Sequence, residues 1–289
     1  MGWSPENIER IFQTDEVKNG LAAIRAKAEG PYRKEEMKLA FSCIDLTTLS
    51  VEDTQEKGQI MADKVSRFSR HFIELPNVAA ICVYPSLVKT VRKNLVDSKV
   101  ALAAVSAGFP SSMTFIEVKV LETALAVAAG ANEIDIVISV GTFLEGNYAE
   151  VGKEVLRIKE SCGDAHLKVI LETGALKTPE NIWKASMIAM QAGADFIKTS
   201  TGKMEPAATP EAAWVMCSAI KEFYARTGKK VGFKVAGGIV ETTDALFYVA
   251  IVREILGDEW LNPQLFRIGA SRLANNLLTS ITEEKISYF

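Results

Sequence analysis

Eight short apolar runs punctuate the chain, each followed by a turn and then by a stretch with the apolar spacing of a helix. They are Leu39 to Thr47, Val78 to Pro85, Val100 to Phe109, Asn132 to Ser139, His166 to Thr173, Asp195 to Thr201, Val231 to Gly238 and Leu265 to Ala270. Alternation of strand and helix calls for a parallel sheet, because each helix is the crossover that a parallel pair requires. Eight consecutive units predict closure into a (β/α)8 barrel, the TIM barrel. A doubly wound open sheet is the alternative, but it would normally carry a Gly-x-Gly-x-x-Gly turn, and this chain has none. Gly202-Lys203 runs into Met204 and lacks the upstream glycine of a P-loop. Helix starts are marked by Thr178-Pro179-Glu180 and Thr209-Pro210-Glu211, a capping threonine with proline at the first helical position. Thr114 and Glu117 have the spacing of a capping box. Residues 1–38 read as a charged helical extension, and the 289 residues as one barrel domain.

With 48% hydrophobic and 24% charged residues, the chain can bury a large core. A net charge of −3 gives no electrostatic footprint for nucleic acid, and no apolar run approaches the length that spans a membrane. A cytoplasmic protein with a small-molecule substrate is the expectation. The four cysteines form no Cys-x-x-Cys pair and there are only two histidines, so a metal site is not expected and proton carriers must come from Lys, Asp, Glu and Tyr.

Several runs place charge where the sheet should be apolar. Lys198 follows Asp195-Phe196-Ile197, and an ammonium group there is costly unless it titrates or is paired. An internal echo locates its partner. Ala129-Gly130-Ala131-Asn132-Glu133-Ile134-Asp135 resembles Ala192-Gly193-Ala194-Asp195-Phe196-Ile197-Lys198, so Asp135 and Lys198 stand at the same offset from a helix-ending glycine. In the fourth and sixth strands they would share one interior layer and face each other. Asp45, Lys168 and Lys234 bring the set to five charges from five strands. A structural salt-bridge network is the competing reading, but desolvation of buried charges commonly outweighs their attraction, and an active site explains the set better. A free lysine, of pKa about 10.4, is only about 0.04% neutral at pH 7, whereas imine formation needs the neutral amine. Burial and the neighbouring Lys234 would disfavour the charged form of Lys198, and a pKa near 7 corresponds to about 4.6 kcal/mol of such bias. Asp45 and Asp135 would balance the remaining cations, with Asp135 and Lys168 available as a proton relay.

Small residues close the last three strands: Thr201-Gly202-Lys203, Ala236-Gly237-Gly238 and Gly269-Ala270-Ser271. Backbone N–H groups can approach oxygen atoms there, and barrels of this kind commonly bind phosphate at their last loops and a nearby helix N-terminus. Cys82 could line the same pocket, with a buried apolar filler as the alternative.

Taken together, Asp45-Leu46-Thr47, Cys82-Val83-Tyr84-Pro85, Glu133-Ile134-Asp135, Leu167 to Gly174, Phe196 to Lys203, Gly232-Phe233-Lys234 and Phe266 to Ser271 closely resemble the 2-deoxyribose-5-phosphate aldolase family. The resemblance runs from about Leu39 to Leu278. It implies a class I aldolase on a TIM barrel, without cofactor, that reversibly cleaves 2-deoxy-D-ribose 5-phosphate to D-glyceraldehyde 3-phosphate and acetaldehyde. It implies that Lys198 forms the Schiff base, Lys234 tunes it, Asp135 and Lys168 move protons through water, and Asp45 pairs with Lys234. It also implies that Gly202, Lys203, Gly237, Gly238 and Ser271 surround the phosphate. Many members end in a tail whose last tyrosine assists proton transfer; here Phe289 follows Tyr288, which leaves two readings, Tyr288 in that role or an unordered aromatic terminus. Val235 and Val240 replace the family's usual proline and arginine, and Arg272 replaces a serine or threonine. These departures keep two other readings in view: a Schiff-base aldolase for related or unphosphorylated aldehydes, and a non-catalytic sugar-phosphate-binding barrel. A homodimer is the assembly considered.

Overall fold

Each apolar run supplies one strand of a single parallel sheet in the computed structural model of the chain, which describes residues 5–13, 15–28 and 33–289. The strands are β1 (Ile44–Thr47), β2 (Ala80–Val83), β3 (Ala101–Val105), β4 (Glu133–Val137), β5 (His166–Ile170), β6 (Phe196–Lys198), β7 (Gly232–Ala236) and β8 (Phe266–Ala270). They pair in chain order and β8 returns to β1, so the sheet closes into the expected barrel. The helices are α1 (Glu16–Lys27), α2 (Lys34–Ser42), α3 (Gln55–His71), α4 (Val88–Asn94), α5 (Ile116–Ala128), α6 (Val140–Leu144), α7 (Tyr148–Ser161), α8 (Thr173–Leu176), α9 (Pro179–Gln191), α10 (Pro210–Thr227), α11 (Thr242–Leu256) and α12 (Arg272–Thr282).

Alternation along each strand divides the molecule into two interiors. Ile44, Leu46, Ile134, Ile136, Val169, Ile197, Phe233, Val235, Phe266 and Ile268 are buried in the main apolar core formed with the surrounding helices. Their strand neighbours point into the barrel. Helix geometry follows the marked starts: Thr178 accepts from the backbone N–H of Asn181, and Thr209 from that of Ala212. The proposed box at Thr114 does not form, because Phe115 occupies the N-cap of α5 and no side chain caps it.

The first strand begins later than the sequence predicts. Leu39 to Ser42 continue α2 instead of opening β1, which begins at Ile44. Ala40 and Phe41 are wholly buried there, so a helix end and a buried strand present the same continuous apolar run. The helical extension comprises α1 and α2; residues 1–4, 14 and 29–32 of that expectation lie outside the described residues. α1 packs on α10 and α11, and α2 on α11 and α12.

Candidate active site

Asp45, Glu133, Asp135, Lys168, Lys198, Lys234 and Arg267 occupy inward positions of β1, β4, β5, β6, β7 and β8, and none is more than 5% exposed. Asp135 joins three cations. Its Oδ2 accepts from Lys198 Nζ and Lys234 Nζ, each at 2.8 Å, and its Oδ1 accepts from Lys168 Nζ at 3.0 Å. Asp45 takes a second bond from Lys234 through Oδ2 and one from Arg267 at 2.6 Å through Oδ1. Glu133 receives Arg267 on both oxygens, at 2.7 and 3.0 Å, and lies 2.6 Å from Lys168. Lys168 also approaches Asp45 at 3.4 Å.

Four cations therefore share three carboxylates. Lys168 has three carboxylate partners, and Lys234 and Arg267 have two each. Lys198 has one, Asp135. Burial disfavours the ammonium form of Lys198, the adjacent Lys234 adds to the effect, and Lys198 is lowered from the ordinary lysine value in spite of Asp135. Lys234 faces the same desolvation, but Asp135 and Asp45 hold it above its ordinary value. Against burial, Asp135, Glu133 and Asp45 similarly raise Lys168. Desolvation of Asp135 is overcome by Lys168, Lys198 and Lys234, which keep its carboxyl well below the usual carboxylate range. With Lys198 as a free amine, the layer holds three positive and three negative charges.

A cleft of about 560 Å³ opens over this layer, and Lys198 is the one member of the seven that lines it. Thr201, Gly202, Lys203, Gly237, Gly238, Gly269 and Ser271 line it too, bringing the three small-residue loops together, and so do Val240 and Arg272. Gly237 has φ +95, and a Cβ there would lie 2.6 Å from the Ala207 Cβ, so the loop needs glycine for both conformation and room. At Gly269 a Cβ would meet Ala236 at 2.8 Å and Lys234 Cε at 3.2 Å, so a side chain would displace the lysine below. Ser271 is the N-cap of α12, whose first turn faces the cleft through Arg272. That arrangement suits an anion. A second hollow of about 620 Å³ lies behind Gly237 and Gly238, lined also by Arg25, Phe247 and Tyr248, but none of the seven charged groups reaches it.

The structure adds three residues that the sequence reading did not single out. Glu133 stands two residues before Asp135, and Arg267 lies between the outward Phe266 and Ile268, so strand alternation was the available signal for both. Glu172 had no such signal. It is buried in the left-handed region at φ +55 and accepts from the backbone N–H and the hydroxyl of Thr201. Thr201 Oγ1 in turn accepts from the Lys203 N–H, so Glu172 fixes the loop after β6. A non-glycine residue in this conformation is uncommon and tends to mark functional sites.

Two expected site residues are not part of the cleft wall. Cys82 is fully buried inside the barrel, packed with Leu49, Ala103 and Val105 and near enough to Asp135, Lys234 and Lys198 to feel their charges, and burial raises its pKa. The Tyr288 hydroxyl donates to the Lys64 carbonyl at 2.7 Å, and the ring packs on Phe68, His71 and Phe72. Lys57 near the start of α3 lines the cleft, and the helix runs away from it, so the Lys64 carbonyl lies about 10 Å, Phe68 about 16 Å and His71 about 20 Å further along and Tyr288 stands off the site. Aromatic burial at the opposite end of the barrel determines its position. Among the described residues, no group of three His, Cys, Asp or Glu side chains is arranged to hold a metal ion.

Residues 40–259 match the family described as DeoC/LacD family aldolase. A Homo sapiens protein named deoxyribose-phosphate aldolase is 45% identical over 249 residues, covering 82% of this chain and 78% of its own. A Caenorhabditis elegans protein provisionally given the same name is 46% identical over 278 residues, covering 95% and 91%. The deoxyribose phosphate aldolase of Aeropyrum pernix, described as having a unique tetrameric structure, shares the fold at TM-score 0.69 and 23% identity, covering 91% of this chain and 97% of its own.

Proposed function

This chain belongs to the DeoC/LacD aldolase family, and from that premise we propose that it reversibly cleaves 2-deoxy-D-ribose 5-phosphate to D-glyceraldehyde 3-phosphate and acetaldehyde through an imine on Lys198. The name carried by the human relative supports the substrate. The observation that supports the mechanism is the position of Lys198, which alone among the buried charges lines the cleft and has a single carboxylate partner.

The neutral amine of Lys198 adds to the C1 aldehyde of the open-chain sugar. Loss of water gives a protonated imine, whose N–H can keep the hydrogen bond to Asp135. Removal of the C3 hydroxyl proton then breaks the C2–C3 bond, with the electrons moving into the imine to leave an enamine as glyceraldehyde 3-phosphate departs. Protonation at C2 and hydrolysis release acetaldehyde and restore Lys198. We assign the proton movements to Asp135 and Lys168 acting through water. Lys234 keeps Lys198 deprotonated, and Asp45 holds Lys234. The 5-phosphate is assigned to Thr201, Gly202, Lys203, Gly237, Gly238, Gly269 and Ser271.

Borohydride reduction with acetaldehyde, followed by peptide mass mapping, tests the reading. A reduced ethyl adduct on Lys198 supports it, and no adduct on any lysine of the folded protein overturns it. Turnover of deoxyribose against its 5-phosphate then separates this activity from an aldolase of unphosphorylated aldehydes. We further propose a single barrel domain carrying the helical extension, self-association as a homodimer, and a cytoplasmic location. The four buried free cysteines are in keeping with a reducing compartment. Among the described residues, no helix is long and apolar enough to cross a membrane.

A further inference from the structure

The wall of the cleft is cationic. Lys57, Lys198, Lys203 and Arg272 line it, and among the described residues no aspartate or glutamate does. Three of these four cations have an acceptor within the chain: Lys57 pairs with Asp53, Lys198 with Asp135, and Lys203 Nζ donates to the Leu49 carbonyl. Arg272 makes no hydrogen bond or ion pair with any described residue. Nor does it serve its own helix. It is the first residue of α12, where the positive end of the helix dipole disfavours a cation, and the first turn has no acidic residue to offset it. The guanidinium is matched to a charge that the chain itself does not supply.

Two contacts fix what Arg272 lies beside. Residues 272, 276 and 280 are spaced four apart and fall on one face of α12. Asn276 Nδ2 donates to the Val240 carbonyl at 2.9 Å, and the Ser280 hydroxyl meets that of Thr242 at 2.9 Å. This face therefore runs alongside the segment after β7 in the same direction, two residues of that segment to each turn of the helix. Four helical residues rise about 6 Å, the reach of two extended ones. One turn back from Asn276, Arg272 stands beside Gly238. Gly237 and Gly238 both hold positive φ, at +95 and +78, and carry no side chain to shield their backbone N–H groups from an anion.

We propose that Arg272 binds the 5-phosphate of the substrate together with the Gly237–Gly238 turn, and that it is the residue by which the cleft selects a phosphorylated over an unphosphorylated sugar. This deepens the phosphate assignment given above and rests on it. A guanidinium stays charged at any working pH and presents paired N–H donors that match two phosphate oxygens. The two departures in the wall then form an exchange. Val240 stands where an arginine is usual and Arg272 where a serine or threonine is usual, and both line the cleft. The wall keeps one guanidinium, moved across the contact between Asn276 and Val240. An aldolase of unphosphorylated aldehydes would leave that charge with nothing to bind.

The test is the ratio of kcat/KM for 2-deoxyribose 5-phosphate to that for 2-deoxyribose, measured on the full chain and on Arg272→Ser. Arg272 is exposed, so the variant should fold, and Arg272→Gln gives the same reading should it not. The ratio is expected to fall on the order of 10-fold or more, through KM for the phosphorylated sugar and not through kcat, as a charge-assisted pair of hydrogen bonds is lost. Inhibition of deoxyribose cleavage by inorganic phosphate should weaken by a similar factor. Val240→Arg in the Arg272→Ser background should restore most of the ratio. An unchanged ratio, or a loss that falls equally on both sugars, overturns the role of Arg272 and leaves the aldolase standing. A wild type that cleaves neither sugar and gives no borohydride adduct overturns the aldolase reading itself, and this inference with it.

Discussion

The barrel interior and the gap between α5 and α7 each bury a lysine against a carboxylate, but the two sites are built differently. Outside the barrel, Lys119 Nζ donates to Ser112 at 2.8 Å, to Ser139 at 3.0 Å and to Glu154. One cation meets one anion, and three acceptors use its three N–H donors. Inside, four cations share three carboxylates, and Lys198 has only Asp135. Burial of a lysine is therefore not in itself a sign of chemistry. Within the inner layer, the sharing of carboxylates determines which lysine can lose its proton, because the one partner of Lys198, Asp135, is also held by Lys168 and Lys234, and the cleft determines which can meet a substrate.

The strongest way to break the comparison is Lys198→Met. Turnover should fall on the order of 10⁴-fold or more with the loss of the nucleophile. Because the native Lys198 pKa is lowered, the unfolded chain binds a proton the folded state gives up. Stability contributed by this group therefore rises with pH toward the unfolded value of about 10.4, and at pH 7 the methionine variant should be more stable than the wild type in urea melts. Lys234→Leu comes next. It leaves three cations for three carboxylates, so Lys198 keeps its proton; turnover at pH 7 should drop on the order of 10²-fold and recover as pH rises. An unchanged pH–rate profile would remove Lys234 from the tuning. Lys119→Met should do the reverse, costing about 3 kcal/mol of stability by stranding Glu154, while the midpoint of the pH–rate profile stays in place. The smallest effect is expected from Ser271→Ala, a few-fold rise in KM for the 5-phosphate with acetaldehyde unaffected, since one hydroxyl hydrogen bond contributes about 1 kcal/mol.

How much of this was legible in the sequence follows from the same physics. Asp45, Asp135, Lys168, Lys198 and Lys234 stand out because each interrupts an apolar strand, and the echo between the Gly130 and Gly193 segments sets Asp135 opposite Lys198. Glu133 and Arg267 were passed over because they lie near strand starts, where contact with solvent is the default, although alternation aims both inward. The boundary of β1 was misplaced since Leu39 to Phe41 are apolar in either a helix or a strand. Glu172 escaped because its role depends on a left-handed backbone and on Thr201, twenty-nine positions away. Tyr288 departs from the family pattern by the Phe289 that follows it, and Phe68, Phe72 and Phe289 hold it at the other end of the barrel.

The central claim is that Lys198 is the surplus cation of the inner layer and loses its proton first. It is tested most directly by an NMR titration of protein carrying ¹³C-enriched lysine, with the Lys198 signal assigned by its absence in Lys198→Met. The account predicts that Lys198 titrates clearly below the free-lysine value of about 10.4 while Lys168 and Lys234 remain charged beyond it. Titration of Lys198 at or above that value, or of Lys234 before it, would contradict the account.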